Sequence, residues 1–324
     1  MTHQPHRDGG VLVVERAGPL TTVQDLGRPG FAALGVPRAG AADRGSLRLA
    51  NRLVGNVEGA AALEVTVGGL VLRPSVDVVL AVTGAHLPVR IGDRPAGRNA
   101  VLRVPAGMPV TLGHAGIGLR SYLAVRGGLA VPPVLGSRST DTLSGLGPSR
   151  VADGDRVALG DPAGPDVLTW PLVDLAAVRE PPWAGAGPVR LEALPGPRAD
   201  WFTPQSRHRL WTATWAVTAQ SDRIGVRLAA DHPDGFDWLD RLERLTDAEL
   251  AHLPGGPVDG ELPSEPLVRG AVQVPPSGLP LIFLADHPVT GGYPVVAVLR
   301  ERSADVAAQL APGRRIRFGP PSGA

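Results

Sequence analysis

The stretch Leu281-Ile-Phe-Leu-Ala-Asp286-His287-Pro-Val-Thr290-Gly291-Gly292-Tyr293-Pro-Val-Val-Ala-Val-Leu299 sets two apolar runs around a polar centre. Leu281–Ala285 and Val295–Leu299 are short and rich in branched residues, which predicts buried strands. The nine residues between them are too many and too polar for a two-residue hairpin turn. Gly291 and Gly292 leave the backbone bare, so a ligand or another strand can approach closely. Asp286, His287, Thr290 and Tyr293 add donors, acceptors and one titratable imidazole, so His287 is a candidate general base on a strand-held loop.

The same pattern extends outward. The 324 residues contain 42 glycines and 34 prolines, with 43% hydrophobic and 19% charged residues. Apolar runs punctuated by Gly and Pro predict a mainly β protein of two domains. Val11–Glu15, Ala61–Val67, Val71–Leu72, Val76–Val82, Val89–Ile91, Val101–Val104, Val110–Leu112 and Leu119–Val125 are the strands expected in the first half. Glu64 and Thr66 alternate against Leu63, Val65 and Val67. Leu20–Gly30 reads as a glycine-bounded loop carrying Gln24, Asp25 and Arg28. A helix is expected over about Asp43–Val54, with Leu47, Ala50, Leu53 and Val54 on one face and Arg44, Arg48 and Arg52 opposite. Gly136-Ser137-Arg-Ser-Thr140 offers hydroxyls and backbone donors suited to an oxyanion.

Periodicity is lost around Asp161–Pro188, where the inter-domain connection is expected. Val189–Ala193 followed by Pro195-Gly-Pro197 echoes the opening strand and turn, a hint of internal duplication. Further strands are expected at Trp211–Ala216 and Arg315–Phe318, and Gln273 lies within a valine-rich one. Ser221, Asp222, Arg223 and Arg227 surround a glycine at a strand entrance. Short helices are expected at Phe236–Leu245, after the Thr246/Glu249 capping box, and near Asp305–Leu310.

Several chemistries are excluded by composition. The net charge is +1 with acidic and basic residues interspersed, and no basic footprint for nucleic acid appears. No apolar run reaches the ~20 residues of a membrane span, and a cytoplasmic location is expected. There is no cysteine, hence no disulfide or thiolate nucleophile. There is also no lysine, which removes a P-loop lysine, a Schiff base and covalent biotin from this chain. Anions here must be held by Arg, hydroxyls or backbone N–H groups. The histidines are scattered and no metal site is expected.

The motifs Thr22-Val-Gln-Asp-Leu-Gly-Arg28, Asn51-Arg-Leu-Val-Gly-Asn56, Gly136–Thr140, Ser221-Asp-Arg-Ile-Gly-Val-Arg-Leu228, Gly270-Ala-Val-Gln-Val-Pro275 and Thr290-Gly-Gly-Tyr-Pro294 occur in an order that resembles one family. That family comprises the C-subunit of bacterial 5-oxoprolinase, the Kip-inhibitor antagonist, allophanate hydrolase subunit 2, and subdomains A and B of biotin-dependent carboxyltransferases. The resemblance implies two cyclophilin-like β-barrel domains with a few short helices, at 11–165 and 186–320, joined by a linker at 166–185. It implies a hetero-oligomer in which Kip-inhibitor-like (B) and LamB/YcsF-like (A) subunits are the partners. With ATP, bound by this chain or with a partner, the complex would hydrolyse 5-oxo-L-proline to L-glutamate. Two alternatives stay open: a carboxyltransferase of a urea carboxylase/allophanate system, using carboxybiotin from another protein, and a non-catalytic binder that antagonises a kinase inhibitor. Ser264-Glu-Pro-Leu267 departs from the family, which usually has glycine after the glutamate.

The site this implies has Asp25, Gln273, Asp286 and His287 as catalytic candidates. Gln24, Arg28, Ser137, Thr140, Ser221, Arg223, Arg227, Thr290, Gly291, Gly292 and Tyr293 are the candidates for holding a small substrate or its phosphoryl charge.

Overall fold

A computed structural model of the chain describes residues 10–162, 181–231, 241–253 and 262–321. It is mainly β, and its contacts divide it into two units. Most of the expected linker, 163–180, lies outside the described residues. The units do not follow the linear cut at that linker. Pro29–Asp43 and Asp141–Ser144, both from the first half of the sequence, belong to the second unit.

The first unit contains β1 (Val11–Arg16), β2 (Leu20–Gln24), α1 (Arg44–Leu53), β3 (Ala62–Thr66), β4 (Val71–Pro74), β5 (Val78–His86), β6 (Val89–Ile91), β7 (Arg94–Ala96), β8 (Leu102–Val104), β9 (Val110–Leu112), β10 (Ile117–Val125) and β11 (Arg156–Ala158). Two sheets form, in the orders β11-β1-β4-β9-β6-β7 and β2-β3-β10-β5-β8. Leu12, Val14, Leu72, Val110 and Leu112 of one share a core with Leu63, Val65, Leu80, Val82, Leu123 and Val125 of the other. The strand period of two then decides what the opposite face carries. Register places Thr22 beside Glu64, Glu64 beside Tyr122, and Tyr122 beside Thr83, so four polar side chains form one row across the second sheet. The amphipathic helix α1 packs against β5 and β10, and Thr83 Oγ1 donates to the carbonyl of Ser46 within it. Leu20–Gln24, expected as loop, is therefore a strand. Its polar alternate residues face this buried polar row rather than solvent.

The second unit holds β12 (Val189–Pro195), α2 (Pro204–Thr212), β13 (Trp215–Val217), β14 (Gly225–Ala230), α3 (Asp247–Leu250), β15 (Glu265–Pro266), β16 (Ala271–Gln273), β17 (Leu281–Phe283), β18 (Thr290–Gly291), β19 (Val295–Leu299), α4 (Glu301–Ala307) and β20 (Arg315–Gly319). A closed barrel runs β12-β19-β16-β17-β14-β13-β20. Closure leaves no unpaired edge among these strands, and Leu191, Trp215, Val226, Leu228, Val272, Ile282, Val296, Ile316 and Phe318 fill the core.

Three local expectations are corrected. Trp211 lies in the last turn of α2, and the strand begins only at Trp215; Thr203 caps the helix by accepting from Ser206 N, with Pro204 at its first position. Of the helix expected at Phe236–Leu245, 236–240 lie outside the described residues and 241–245 are not helical. The final helix begins at Glu301 rather than near Asp305. The two runs flanking the polar loop do form strands. They pair with β16 on either side and not with one another.

Candidate functional site

In the first unit, β2 delivers Gln24, and the segment after it delivers Asp25 and Arg28. The Asp25 carboxylate accepts from Ser137 Oγ (2.6 Å), Ser139 Oγ (2.5 Å), Gly27 N (2.7 Å) and Arg138 N (2.6 Å). Ser139 Oγ in return accepts from Asp25 N at 2.9 Å. The expected anion cradle Gly136–Thr140 is thus wrapped around a carboxylate of its own chain. Ser137 spends its hydroxyl proton on that carboxylate.

Arg28 is only 1% exposed. Its Nη2 donates to the carbonyl of Ser139, and its Nε lies 3.4 Å from the carbonyl of Val134. Nη1 is buried with no acceptor among the described residues, and no ion pair there includes this guanidinium. A buried cation without a counter-charge is costly, and a site that must receive an anion is one reason for a protein to keep it. Gly147 makes the approach possible: it sits at φ +89°, and a Cβ there would lie 2.0 Å from the Ser139 carbonyl and 3.0 Å from Arg28 Nη2.

Gln24, wholly buried, donates from Nε2 to Thr22 Oγ1 (3.0 Å) and to the carbonyl of Thr140 (2.9 Å). Its Oε1 and the Thr140 hydroxyl are both buried without a partner among the described residues. Beside them in the sheet, Tyr122 donates to Glu64 at 2.7 Å and Arg120 lies 3.6 Å from the same carboxylate, all three buried. Sequence reasoning did not select Glu64, Tyr122 or Arg120. The alternation around Glu64 was the available signal, and it is equally that of a strand with one wet face.

In the second unit, Arg223 and Asp286 form a buried two-point ion pair. Arg223 also donates to the carbonyl of Gly40 at 2.7 Å. Thr142 donates to Asp286 from its backbone N (2.9 Å) and its hydroxyl (2.6 Å). Thr142 was not foreseen, because 144 residues separate it from its partner. Arg269 and Gln309 act similarly, donating to the Ala42 carbonyl and to Asp43 Oδ2 (2.7 Å). His287, mostly buried, lies with Nδ1 2.7 Å from the carbonyl of Pro288. A carbonyl can only accept, so Nδ1 carries a proton and, in the neutral ring, Nε2 holds the lone pair.

The glycine-rich motif forms a ladder of its own. Thr290 and Gly291 pair with Pro266 and Glu265, and Gln273 Nε2 donates to the carbonyl of Tyr293 at 2.8 Å. A Cβ at Gly291 would sit 2.6 Å from Gln273 Nε2, so this glycine permits the bond. Thr290, Gly292 and the Tyr293 ring are exposed. Ser221 Oγ accepts from Arg227 N and braces the turn. Arg227 lines a separate surface pocket of about 220 Å³ with Thr218, Gln220 and Ser277. The structure therefore groups Gln24, Asp25, Arg28, Ser137 and Thr140 in one unit, and Arg223 with Asp286 in the other. No group of three or more metal-ligating side chains occurs among the described residues.

Known proteins share this framework. A family model described as carboxyltransferase domain, subdomain A and B, matches residues 34–320. The chain is 37% identical over 311 residues to the 5-oxoprolinase C-subunit of Escherichia coli (strain K12), covering 95% of this chain and 90% of that protein. The crystal structure of TTHA0988 superposes with a TM-score of 0.75 at 34% identity, covering 98% of this chain and 57% of that one. The K. lactis urea amidolyase superposes at 0.79 and 28% identity, covering 99% of this chain and 19% of the amidolyase. The chain thus spans somewhat over half of the first of these solved chains and a fifth of the second.

Proposed function

The chain belongs to the carboxyltransferase subdomain A and B family, and from that premise we propose that it is the C-subunit of an ATP-dependent 5-oxoprolinase. It would act with Kip-inhibitor-like (B) and LamB/YcsF-like (A) subunits to open 5-oxo-L-proline to L-glutamate. The near full-length likeness to a 5-oxoprolinase C-subunit favours this reading. The observation that carries it on this chain is the buried Arg28 guanidinium, which meets no carboxylate among the described residues.

A lactam is a poor electrophile, and phosphorylating its oxygen from ATP converts that oxygen into a leaving group. The site then needs a fixed cation for the developing charge and groups that orient the substrate and water. Arg28 supplies the cation in our reading, and Gln24 and the Thr140 hydroxyl orient the substrate. Asp25 and Ser137 hold the loop that presents them. In the second unit, Asp286 fixes Arg223 and Gln273 fixes the Tyr293 turn. Thr290, Gly291 and Gly292 shape that turn. Co-expression with the two partner subunits tests the assignment: ATP-dependent release of glutamate from 5-oxoproline is expected, and a folded complex that releases none sinks it.

A second reading rests on the superposition with urea amidolyase: carboxyl transfer to a small amide. With no lysine in this chain, carboxybiotin would come from another protein, so activity should then depend on an added biotin carrier.

A further inference from the structure

Both hydrogens of the Gln24 amide are placed. The Thr140 carbonyl can only accept, so the atom 2.9 Å from it must be Nε2, and Nε2 also reaches Thr22 Oγ1. This fixes the amide the one way round and commits Oε1 as an acceptor. That oxygen is buried on a fully buried side chain and accepts from nothing among the described residues. Leaving such an atom unmatched is unfavourable, so it calls for a donor from outside the chain.

The surroundings define the donor. Arg28 Nη2 holds the carbonyl of Ser139, and Gln24 Nε2 holds the carbonyl of the next residue, Thr140. Three unmatched buried atoms therefore gather about one dipeptide: the Arg28 Nη1 donor, the Gln24 Oε1 acceptor and the Thr140 hydroxyl. A donor and an acceptor anchored on adjacent residues suit a ligand with an N–H next to a C=O on one edge, which is the edge of a cis amide. A lactam ring has that edge locked by covalent geometry. A lactone of the same ring, with oxygen in place of N–H, would set a lone pair against Oε1.

We infer that Gln24 is a specificity-determining residue that accepts a hydrogen bond from the N–H of a small lactam or cis amide through Oε1, while Arg28 receives the adjoining carbonyl oxygen. The inference rests on the proposed function, and it adds which atom of the ligand is read and by which atom of the protein. A site built around a substrate N–H rejects analogues that lack it, because the protein atom is then buried unpaired.

The test is calorimetric binding to the co-expressed complex without ATP, comparing 5-oxoproline with the lactone in which oxygen replaces its N–H. The unaltered protein is expected to prefer the lactam by about tenfold to a hundredfold. Gln24→Met, close in shape but lacking the acceptor, should abolish the preference, weakening the lactam and relieving the lone-pair repulsion against the lactone. Should the Met variant fail to fold, the lactam-over-lactone ratio of the unaltered protein remains the test. A folded Gln24→Met protein with the original ratio, or an unaltered complex that binds both rings equally well, overturns the inference and leaves the proposed function standing. Failure of the unaltered complex to bind either ring removes both.

Discussion

Arg223 and Asp286 meet in parallel, Nε to Oδ2 and Nη2 to Oδ1, each at 2.9 Å, with neither side chain more than 1% exposed. Geometry of this kind matches the planar fork of guanidinium to carboxylate. The carboxylate also carries Thr142, and the guanidinium also carries the Gly40 carbonyl. Removing one partner leaves the other's charge buried without its two-point counter-charge. Asp286→Ala is expected to cost roughly 3–5 kcal/mol in a urea-denaturation measurement. Thr142→Val, which removes one charge-assisted hydrogen bond and leaves the pair, should cost about 1.5–3 kcal/mol.

Arg28 should behave in the opposite way. Its cation has no carboxylate partner among the described residues, so Arg28→Met gives up two carbonyl contacts but also relieves an uncompensated buried charge. Stability is expected to change by no more than about 1 kcal/mol. Glutamate release by the assembled complex should fall on the order of a hundredfold. Arg28→Lys should not restore it, because a single ammonium cannot hold the Ser139 carbonyl and present a second N–H in the same plane. Denaturation and turnover on the same preparations check the contrast.

Gly291 is a narrower case. Its backbone lies in the ladder with Glu265, and an added methyl would sit 2.6 Å from Gln273 Nε2 and 2.8 Å from Leu267 Cδ1. Gly291→Ala should displace the Gln273 amide from the Tyr293 carbonyl and cost about 1–3 kcal/mol. The Gln273 side-chain amide resonances report it directly, and unchanged shifts would contradict the account.

Glu249 offers a pH signature. Hydrogen bonds from the Thr246 hydroxyl and backbone hold its carboxyl below the ordinary glutamate range. A lowered folded-state value means that its contribution is fully present above the unfolded pKa and is lost as pH falls through the folded one. The group is exposed, so the effect stays local to α3. Carbon-detected titration of Glu249 should show its midpoint below that of an unperturbed glutamate, and Glu249→Gln should abolish the acid-dependent loss of amide protection at Leu250.

The capping box at Thr246 and the apolar stripe of α1 were legible because each is encoded within a few helical turns, whereas Arg44, expected on the outer face with Arg48 and Arg52, is buried. The runs Leu281–Ala285 and Val295–Leu299 were legible as strands, but not their partners: ladder pairing is non-local, and β16 between them lies upstream of both. Thr22 and Gln24 looked like loop because polar alternate residues normally mean solvent. Here that face joins the buried polar row of Glu64 and Tyr122. At Trp211–Ala216 the aromatic and β-branched composition outweighed a proline-started helix whose capping threonine stood well upstream, at Thr203. Among candidate site residues, Asp25, Ser137, Arg223 and Asp286 were legible as polar groups needing partners. That they satisfy one another within each unit was not, since the bonds span 112 residues in one case and 63 in the other.

The chain crosses from one unit to the other more often than a single linker requires, because 29–43 and 141–144 return to complete the second unit. A protease cut at the expected connection would therefore not release two free modules. The N-terminal fragment would leave carrying Gly40, Ala42, Asp43 and Thr142, the partners of Arg223, Arg269, Gln309 and Asp286. The nicked halves should co-migrate on a sizing column until denatured.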